Sequence, residues 1–352
     1  MILNLNCTTF SLRSHKKQVR ITFAGDIMCH SSQLASYYDS KTKSYQADKS
    51  FDYIAKRIKN SDLVLGNLET TIVSSPDLYS GYPRFGSPKA IVKSLKKTGF
   101  HIISTANNHS ADKESLGIDL TIDTVLEEGM IPIGTYKSMD DYITRKNLII
   151  TLNDIKIAIY NYTYSTNGVK VPKDRIVRLI DEESISKDLA FAKQNQADFI
   201  IVWYHFGTEY QIKPDSYQEK WVNFALKNGA NIVIGGHPHV VQKIERYNLN
   251  KDSLSDEQFI AYSLGNFLSA QSRPFTDGGM LLHFNILIEE NGKRTISDIK
   301  PEPVWVSPNG YRIIPIEAYL NNEMEIQLSP NHKKRMLNYY KEFQKVMNDN
   351  KI

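Results

Sequence analysis

The stretch Asn231-Ile232-Val233-Ile234-Gly235-Gly236-His237-Pro238-His239 decides how the chain is read. Its β-branched run forms a strand, two glycines end that strand, and two imidazoles follow one residue apart. A strand that stops in this way has ceased to build core and offers lone pairs at the carboxyl edge of a sheet, where open α/β folds bind ligands. Alternation along an extended backbone puts His237 and His239 on one face, within reach of a shared metal centre.

The same punctuation recurs outward from there. Residues 19–24 read as a strand that Gly25-Asp26 ends, and residues 62–65 as a strand that stops at Gly66-Asn67-Leu68-Glu69. Residues 100–104 lead into Asn107-Asn108-His109, and residues 199–204 into His205-Phe206-Gly207-Thr208-Glu209-Tyr210. Residues 259–263 run into Leu264-Gly265-Asn266-Phe267.

Between these strands the pattern switches to helical period. Helices are expected over 51–60, over 89–99 with Gly99 as its stop, and over 117–129 with Leu120, Val125 and Leu126 on the apolar side. Further helices are expected over 188–196, over 217–227 with Trp221, Phe224 and Leu226 inward, and over 333–347 at the C-terminus. Asn153-Asp154 and Asn291-Gly292 mark hairpin turns, between 148–152 and 156–162 and between 279–288 and 294–299; residues 167–178 read as a loop. Alternating β and α units imply an α/β fold in stacked layers.

With 352 residues, the chain is expected to form a tail over 1–18, one large body over 19–310, and an extension over 311–352 bearing the last helix. Hydrophobic residues make up 41% and charged ones 23%, with no tract long enough to span a bilayer. The net charge of +4 comes from scattered lysines. That suits an anionic small substrate or polymer and lacks a nucleic-acid footprint. Only Cys7 and Cys29 are present, so a metal here must take imidazole and oxygen ligands. The first eighteen residues have no adequate apolar segment for a signal peptide; a cytoplasmic protein and a truncated start both stay open.

Collected in order, the strand exits offer Asp26, Glu69, Asn108 with His109, His205, and His237 with His239. This mixed oxygen and nitrogen set suits Mn²⁺, Fe or Zn²⁺. The set resembles the calcineurin-like metallophosphatases. The six motifs, Gly25-Asp26-Ile27-Met28, Gly66-Asn67-Leu68-Glu69, Ala106-Asn107-Asn108-His109, His205 to Tyr210, Gly236-His237-Pro238-His239 and Tyr262-Ser263-Leu264-Gly265-Asn266-Phe267, look like the CapA family of poly-γ-glutamate capsule proteins.

The resemblance runs from about Ile21 to Gly279. It implies a four-layer αββα sandwich of two mixed sheets flanked by helices, one or two divalent ions, and a bacterial role in poly-γ-glutamate synthesis or export. Carried across by position, it implies that Asp26, Glu69, Asn108, His205, His237 and His239 are metal ligands, with Glu69 or Asp26 as a bridge and His109 as the general acid. It also implies an anionic substrate, a phosphoester or the polymer itself, membrane capsule-synthesis proteins as partners, and work at the cell envelope.

The chain departs from the broader phosphatases at two places. They carry a histidine two residues after the first aspartate, where this chain has Met28 and offers His30 two positions later. Gly66-Asn67-Leu68-Glu69 stands where they offer aspartates.

Each residue also has an ordinary reading: Asp26 as a turn cap, Asn107 and Asn108 as an Asx turn, His109 as a hydrogen-bonded core histidine. His30 reads equally as a ligand or a supporting group, and Glu209 and Tyr210 orient His205 or meet substrate. Arg84, Tyr164 and Arg273 sit in loops suited to an anionic substrate. Asn67, Asn107 and Asn266 belong to the same motifs and are expected to support the ligands or the substrate. Two functions remain: a metal-dependent hydrolase or transferase acting on a phosphoester or a γ-glutamyl polymer, or a non-catalytic assembly or transport component whose metal centre only binds polymer carboxylates or holds the fold together.

Overall fold

The computed structural model describes residues 17–248 and 257–348. Most of the expected tail, with Cys7 and His15, lies outside the described residues.

Two sheets stack face to face. In the larger, the strand Lys17–Ile27 lies between Leu63–Leu68, parallel to it, and Gly278–Ile288, antiparallel to it; Ile102–Ser104 and Ile131–Ile133 continue the parallel side. Arg294–Val306 and Ile313–Pro315 extend the other side, and the short strand Asn266–Leu268 runs beside the end of Lys17–Ile27. The second sheet runs Leu148–Leu152, Ile155–Thr163, Phe199–His205, Ile232–Gly236, Glu257–Ala261, Ile244–Asn248, with the middle four strands parallel.

Their inner faces interlock through large apolar side chains. Phe23 meets Trp203 edge-on at 5.1 Å, and Phe284 meets Phe259 at 5.6 Å. These residues are fully or almost fully buried, with Ile21, Ile157, Ile201 and Ile234 around them. The outer face of the first sheet is covered by the helix Ala90–Thr98 and neighbouring turns. The helices Glu182–Gln194 and Ser216–Lys227 cover the outer face of the second. The order is helix, sheet, sheet, helix, the expected αββα sandwich.

Local differences have physical causes. The segment expected as a helix over 51–60 splits into the 3₁₀ turn Asp48–Phe51 and the short helix Ala55–Ile58. The helix expected from residue 188 begins at Glu182, because the Asp181 carboxylate accepts from the Ser184 N–H and caps it. In the helix Glu114–Glu127, Ile118, Ile122 and Val125 face inward, whereas Leu126, expected inward, is 45% exposed. Trp221 and Leu226 are buried as expected, with Val222 and Ala225, while Phe224 is only partly so. The final helix, Pro330–Asn348, sets Met336, Tyr339 and Phe343 into the core between the sheets.

The candidate metal centre

Parallel strands in both sheets end at one edge, and their register lines up the polar stops. In the first sheet Asp26 pairs with Asn67 on one side and Asn266 on the other, and Asn67 pairs with Ser104. In the second, His205 lies opposite Gly236. The pairing shifts at Gly25, so that this residue is an extra one in its strand and Asp26 turns toward the second sheet. Only glycine fits there: a Cβ would stand 2.0 Å from the Gly265 carbonyl oxygen.

The backbone that presents the paired histidines is not the extended one expected. The strand stops at Gly236, and His237 and His239 take positive φ angles of 98° and 59°. Both imidazoles therefore reach the site through left-handed turns rather than by strand alternation. Such conformations cost about 1–3 kcal/mol each for residues with a side chain, and the surrounding structure must hold them. Part of that hold is the His237 N–H, which donates to Asp26 Oδ2 at 3.1 Å. Tyr210, whose N–H donates to the Pro238 carbonyl, has a φ of 66° as well.

Asp26, Glu69, Asn108, His205, His237 and His239 come together, all buried. Glu69 Oε1 lies 3.4 Å from His205 Nε2 and 3.7 Å from His239 Nε2. Asn108 Oδ1 lies 2.8 Å from His205 Nε2. Asp26 Oδ2 is 3.3 Å from His239 Nδ1, and the His205 and His237 rings are 4.9 Å apart. Single donor atoms of Asp26, Glu69 and His239 lie within 4.8 Å of one another, as do those of Glu69, His205 and His237. Glu69 is common to both groups, which is the arrangement a bridging carboxylate between two ions requires.

The donors fit a divalent cation on a second ground. Both carboxylate oxygens of Glu69 and Nδ1 of His237 are buried without a hydrogen-bond partner. A native fold rarely leaves such groups unmet, and a buried carboxylate is costly unless a cation compensates it. Imidazole, carboxylate and amide oxygen together are ligands for Mn²⁺, Fe or Zn²⁺.

The electrostatics of the cluster follow from the crowding. Burial pushes the Asp26 carboxyl up, but its hydrogen bond to His239 and the nearby His205 and His239 charges outweigh this and hold it below the usual range. Burial pushes His239 down, and the Glu69 and Asp26 carboxylates overcome that and raise it to about 9. His237, buried beside His205 and His239, is driven well below the ordinary histidine value and is neutral.

Around the cluster, the asparagines act as braces. Asn67 donates to Asp26 Oδ1 at 2.8 Å and accepts from Ser104 and Asn107. Asn107 also donates to the Leu68 carbonyl and accepts from the His109 N–H. Asn266 Oδ1 lies 3.1 Å from His239 Nδ1, while its amide donates to Gln271 and to the Thr276 carbonyl. These bonds fix ring and carboxylate orientation, which metal sites need beyond their direct ligands.

His109 pairs through Nδ1 with Asp112 Oδ2 at 2.7 Å, and its ring packs edge-on against Phe85 at 4.6 Å. Asp112 was not singled out in the sequence, although its place three residues after His109 is the available signal. The Tyr164 ring packs tilted against His237 at 4.5 Å, and burial raises its hydroxyl to about 12. Tyr210 lies 6.1 Å from His239, with the Arg273 guanidinium 4.4 Å above its ring.

Two expected residues lie to the side. His30 has Nδ1 engaged by Gln33 and the Ala270 N–H, and burial lowers it to about 4. Arg84 faces Glu114 at 3.6 Å. Met28 is buried, with the Ser269 hydroxyl 3.8 Å from its sulfur.

The family model of the bacterial capsule synthesis protein PGA_cap matches residues 20–271. The capsule biosynthesis protein CapA of Bacillus anthracis is 27% identical over 295 residues, which cover 81% of this chain and 67% of that protein. The PGA biosynthesis protein CapA of Bacillus subtilis (strain 168) is 27% identical over 281 residues, covering 79% of this chain and 70% of that one. Among solved structures, the NAD nucleotidase of Haemophilus influenzae superposes with a TM-score of 0.55 at 14% identity, over 93% of this chain and 63% of the nucleotidase. The calcineurin-like phosphoesterase YfkN of Bacillus subtilis superposes with a TM-score of 0.50 at 14% identity, over 94% of this chain and 99% of that one. This chain thus spans less than two thirds of the nucleotidase, and at such identities the likeness is one of fold, the metallophosphatase sandwich.

Proposed function

This chain belongs to the PGA_cap family of bacterial capsule synthesis proteins, and from that premise we propose that it is a divalent-metal-dependent hydrolase of anionic substrates, a phosphoester or poly-γ-glutamate itself, acting in synthesis or export of the capsule polymer. The observation that carries the reading is Glu69: a fully buried carboxylate with neither oxygen hydrogen-bonded, faced by the His205 and His239 rings at 3.4 and 3.7 Å. Asp26, Glu69 and His239 would hold one ion; Glu69, Asn108, His205 and His237 would hold a second, each taken as Mn²⁺, Fe or Zn²⁺. Bound ions of this kind polarise a substrate oxygen and lower the pKa of a bound water to about 7.

The chain's own groups have the remaining tasks. Asp112 fixes the tautomer and ring angle of His109 through Nδ1, so that Nε2 is the nitrogen left to pass a proton to the leaving group. Phe85 holds the same ring from the side. Arg273, stacked on Tyr210 close to His239, supplies a cation for the substrate's charge. Partnership with membrane capsule-synthesis proteins and work at the cell envelope belong to the same proposal; among the described residues no helix is long and apolar enough to cross a membrane.

Met28 favours a second reading, in which one ion site is incomplete and the centre grips polymer without turning it over. The variant His109→Ala separates the two. With a hydrolase, turnover of phosphoester or polymer by the purified protein falls by about 10²- to 10⁴-fold while bound metal stays. Undiminished capsule polymer in cells that carry the variant supports the binding reading instead.

A further inference from the structure

Met28 leaves the ion position beside Asp26 and His239 short of a ligand, and its environment offers no remedy. Its thioether is a soft donor suited to Cu(I) rather than to the hard and borderline ions that carboxylates attract. Its sulfur already meets the Ser269 hydroxyl. Nor does His30 fill the gap: its Nδ1 is taken by Gln33 and Ala270, its ring meets Phe85 edge-on at 5.2 Å, and among the described residues it is in none of the groups whose donor atoms gather within 4.8 Å of one another. The oxygens of Asp26 are also heavily used, by Asn67, by the His237 N–H and by His239.

One carboxylate stands on the open side. Glu209 follows His205 by four residues, and Tyr210, with its left-handed backbone bonded to the Pro238 carbonyl, ties this loop to the turn between the paired histidines. Donor atoms of Glu209, His237 and His239 lie within 4.8 Å of one another. Two ligands opposite each other on one ion, with bonds near 2.1 Å, are about 4.2 Å apart, so side-chain rotation alone closes the difference. His237, whose Nδ1 is buried without a hydrogen-bond partner, is the third member of this group. The Glu209 side chain is only partly buried, so it is free to swing in a way that Asp26 and Glu69 are not.

We propose that Glu209 is a metal ligand of this chain, which closes the ion position at His239 from the loop that follows His205 and so supplies the donor that Met28 withholds. The inference rests on the metal-centre reading above. It makes the ion position asymmetric: one side would be held by buried, braced groups and the other by a partly buried carboxylate on the loop after His205.

A crystal structure of the full chain grown with Mn²⁺, with an anomalous map at the manganese edge, tests it directly. The expected result is a manganese peak with a Glu209 carboxylate oxygen at about 2.2 Å. The isosteric variant Glu209→Gln is then expected to bind Mn²⁺ at the His239 position at least about tenfold more weakly, with the second position unchanged, by metal titration of the folded protein. A manganese peak with Glu209 beyond about 3 Å, or an unchanged titration of the variant, overturns this inference and leaves the metal centre standing. A wild-type chain without a manganese peak overturns the metal-centre reading as well.

Discussion

His239 stands between two carboxylates, and its protonation sets how the centre responds to pH. Burial lowers its pKa, but Glu69 and Asp26 together hold it up near 9, above the ordinary value of 6.5. Its charged form therefore stabilises the metal-free fold fully below pH 6.5, and that contribution is lost as pH rises through 9. Asp26 works in the opposite direction: its lowered pKa contributes stability above its ordinary value, lost as pH falls through the folded one. A metal ion takes neutral imidazole, so on the proposed reading its binding at His239 would displace a proton over the same window. Apparent Mn²⁺ affinity should accordingly rise between pH 7 and 9, by up to about tenfold per pH unit for one proton released. Titrations at several pH values check this, and His239→Gln should flatten the slope; affinity that is level across the window contradicts it. For His109, Asp112→Asn should lower turnover toward that of His109→Ala with metal content unchanged, because the asparagine keeps the Phe85 N–H satisfied but no longer supports a charged imidazole.

At the scale of elements, the centre exists because parallel strands of two sheets end together, and glycines let them approach. A Cβ on Gly25 would stand 2.0 Å from the Gly265 carbonyl, and one on Gly236 would stand 2.7 Å from Asp26 Oδ1. Gly25→Ala should cost about 3 kcal/mol or more, because the obstacle is backbone and cannot rotate away. Gly292→Ala, in an open turn at φ 82°, should cost about 1 kcal/mol. Thermal unfolding of both variants gives the comparison, and equal losses would contradict the packing argument. The strand exits were legible in the sequence because an apolar run broken by glycine and then Asp, Asn, Glu or His has few other readings. The left-handed backbone of His237 and His239 was not, since it follows from contacts made across the two sheets, such as the His237 N–H to Asp26. The early start of Glu182–Gln194 was legible in principle, through Asp181 as its cap followed by two glutamates. The three-residue strand Asn266–Leu268 carries too little periodicity to be read before its neighbour is known.

For the whole molecule, the last helix ties the far side of the sandwich to the site. Arg335 and the Trp305 indole both donate to Asp277 Oδ2 at 2.9 Å, and the Tyr339 hydroxyl donates to the Gly279 carbonyl at 2.7 Å. These contacts hold the start of Gly278–Ile288, next to Thr276, whose carbonyl accepts from the Asn266 side chain that in turn meets His239. This helix lies beyond residues 20–271, the stretch the family model matches, so part of the support for the centre comes from outside it. Tyr339→Phe should lower stability by about 0.5–1.5 kcal/mol in denaturant unfolding, the net worth of one buried hydrogen bond, and no change would show that the contact carries no weight. The central claim concerns the convergence of both sheets on one metal centre. Elemental analysis of the purified chain after supply of Mn²⁺, Fe or Zn²⁺ and removal of free metal tests it most directly. Stoichiometric metal in the wild type, lost in the folded His237→Ala, His239→Ala double variant, is the predicted result; a wild type without metal, or a double variant that retains full occupancy, would contradict it.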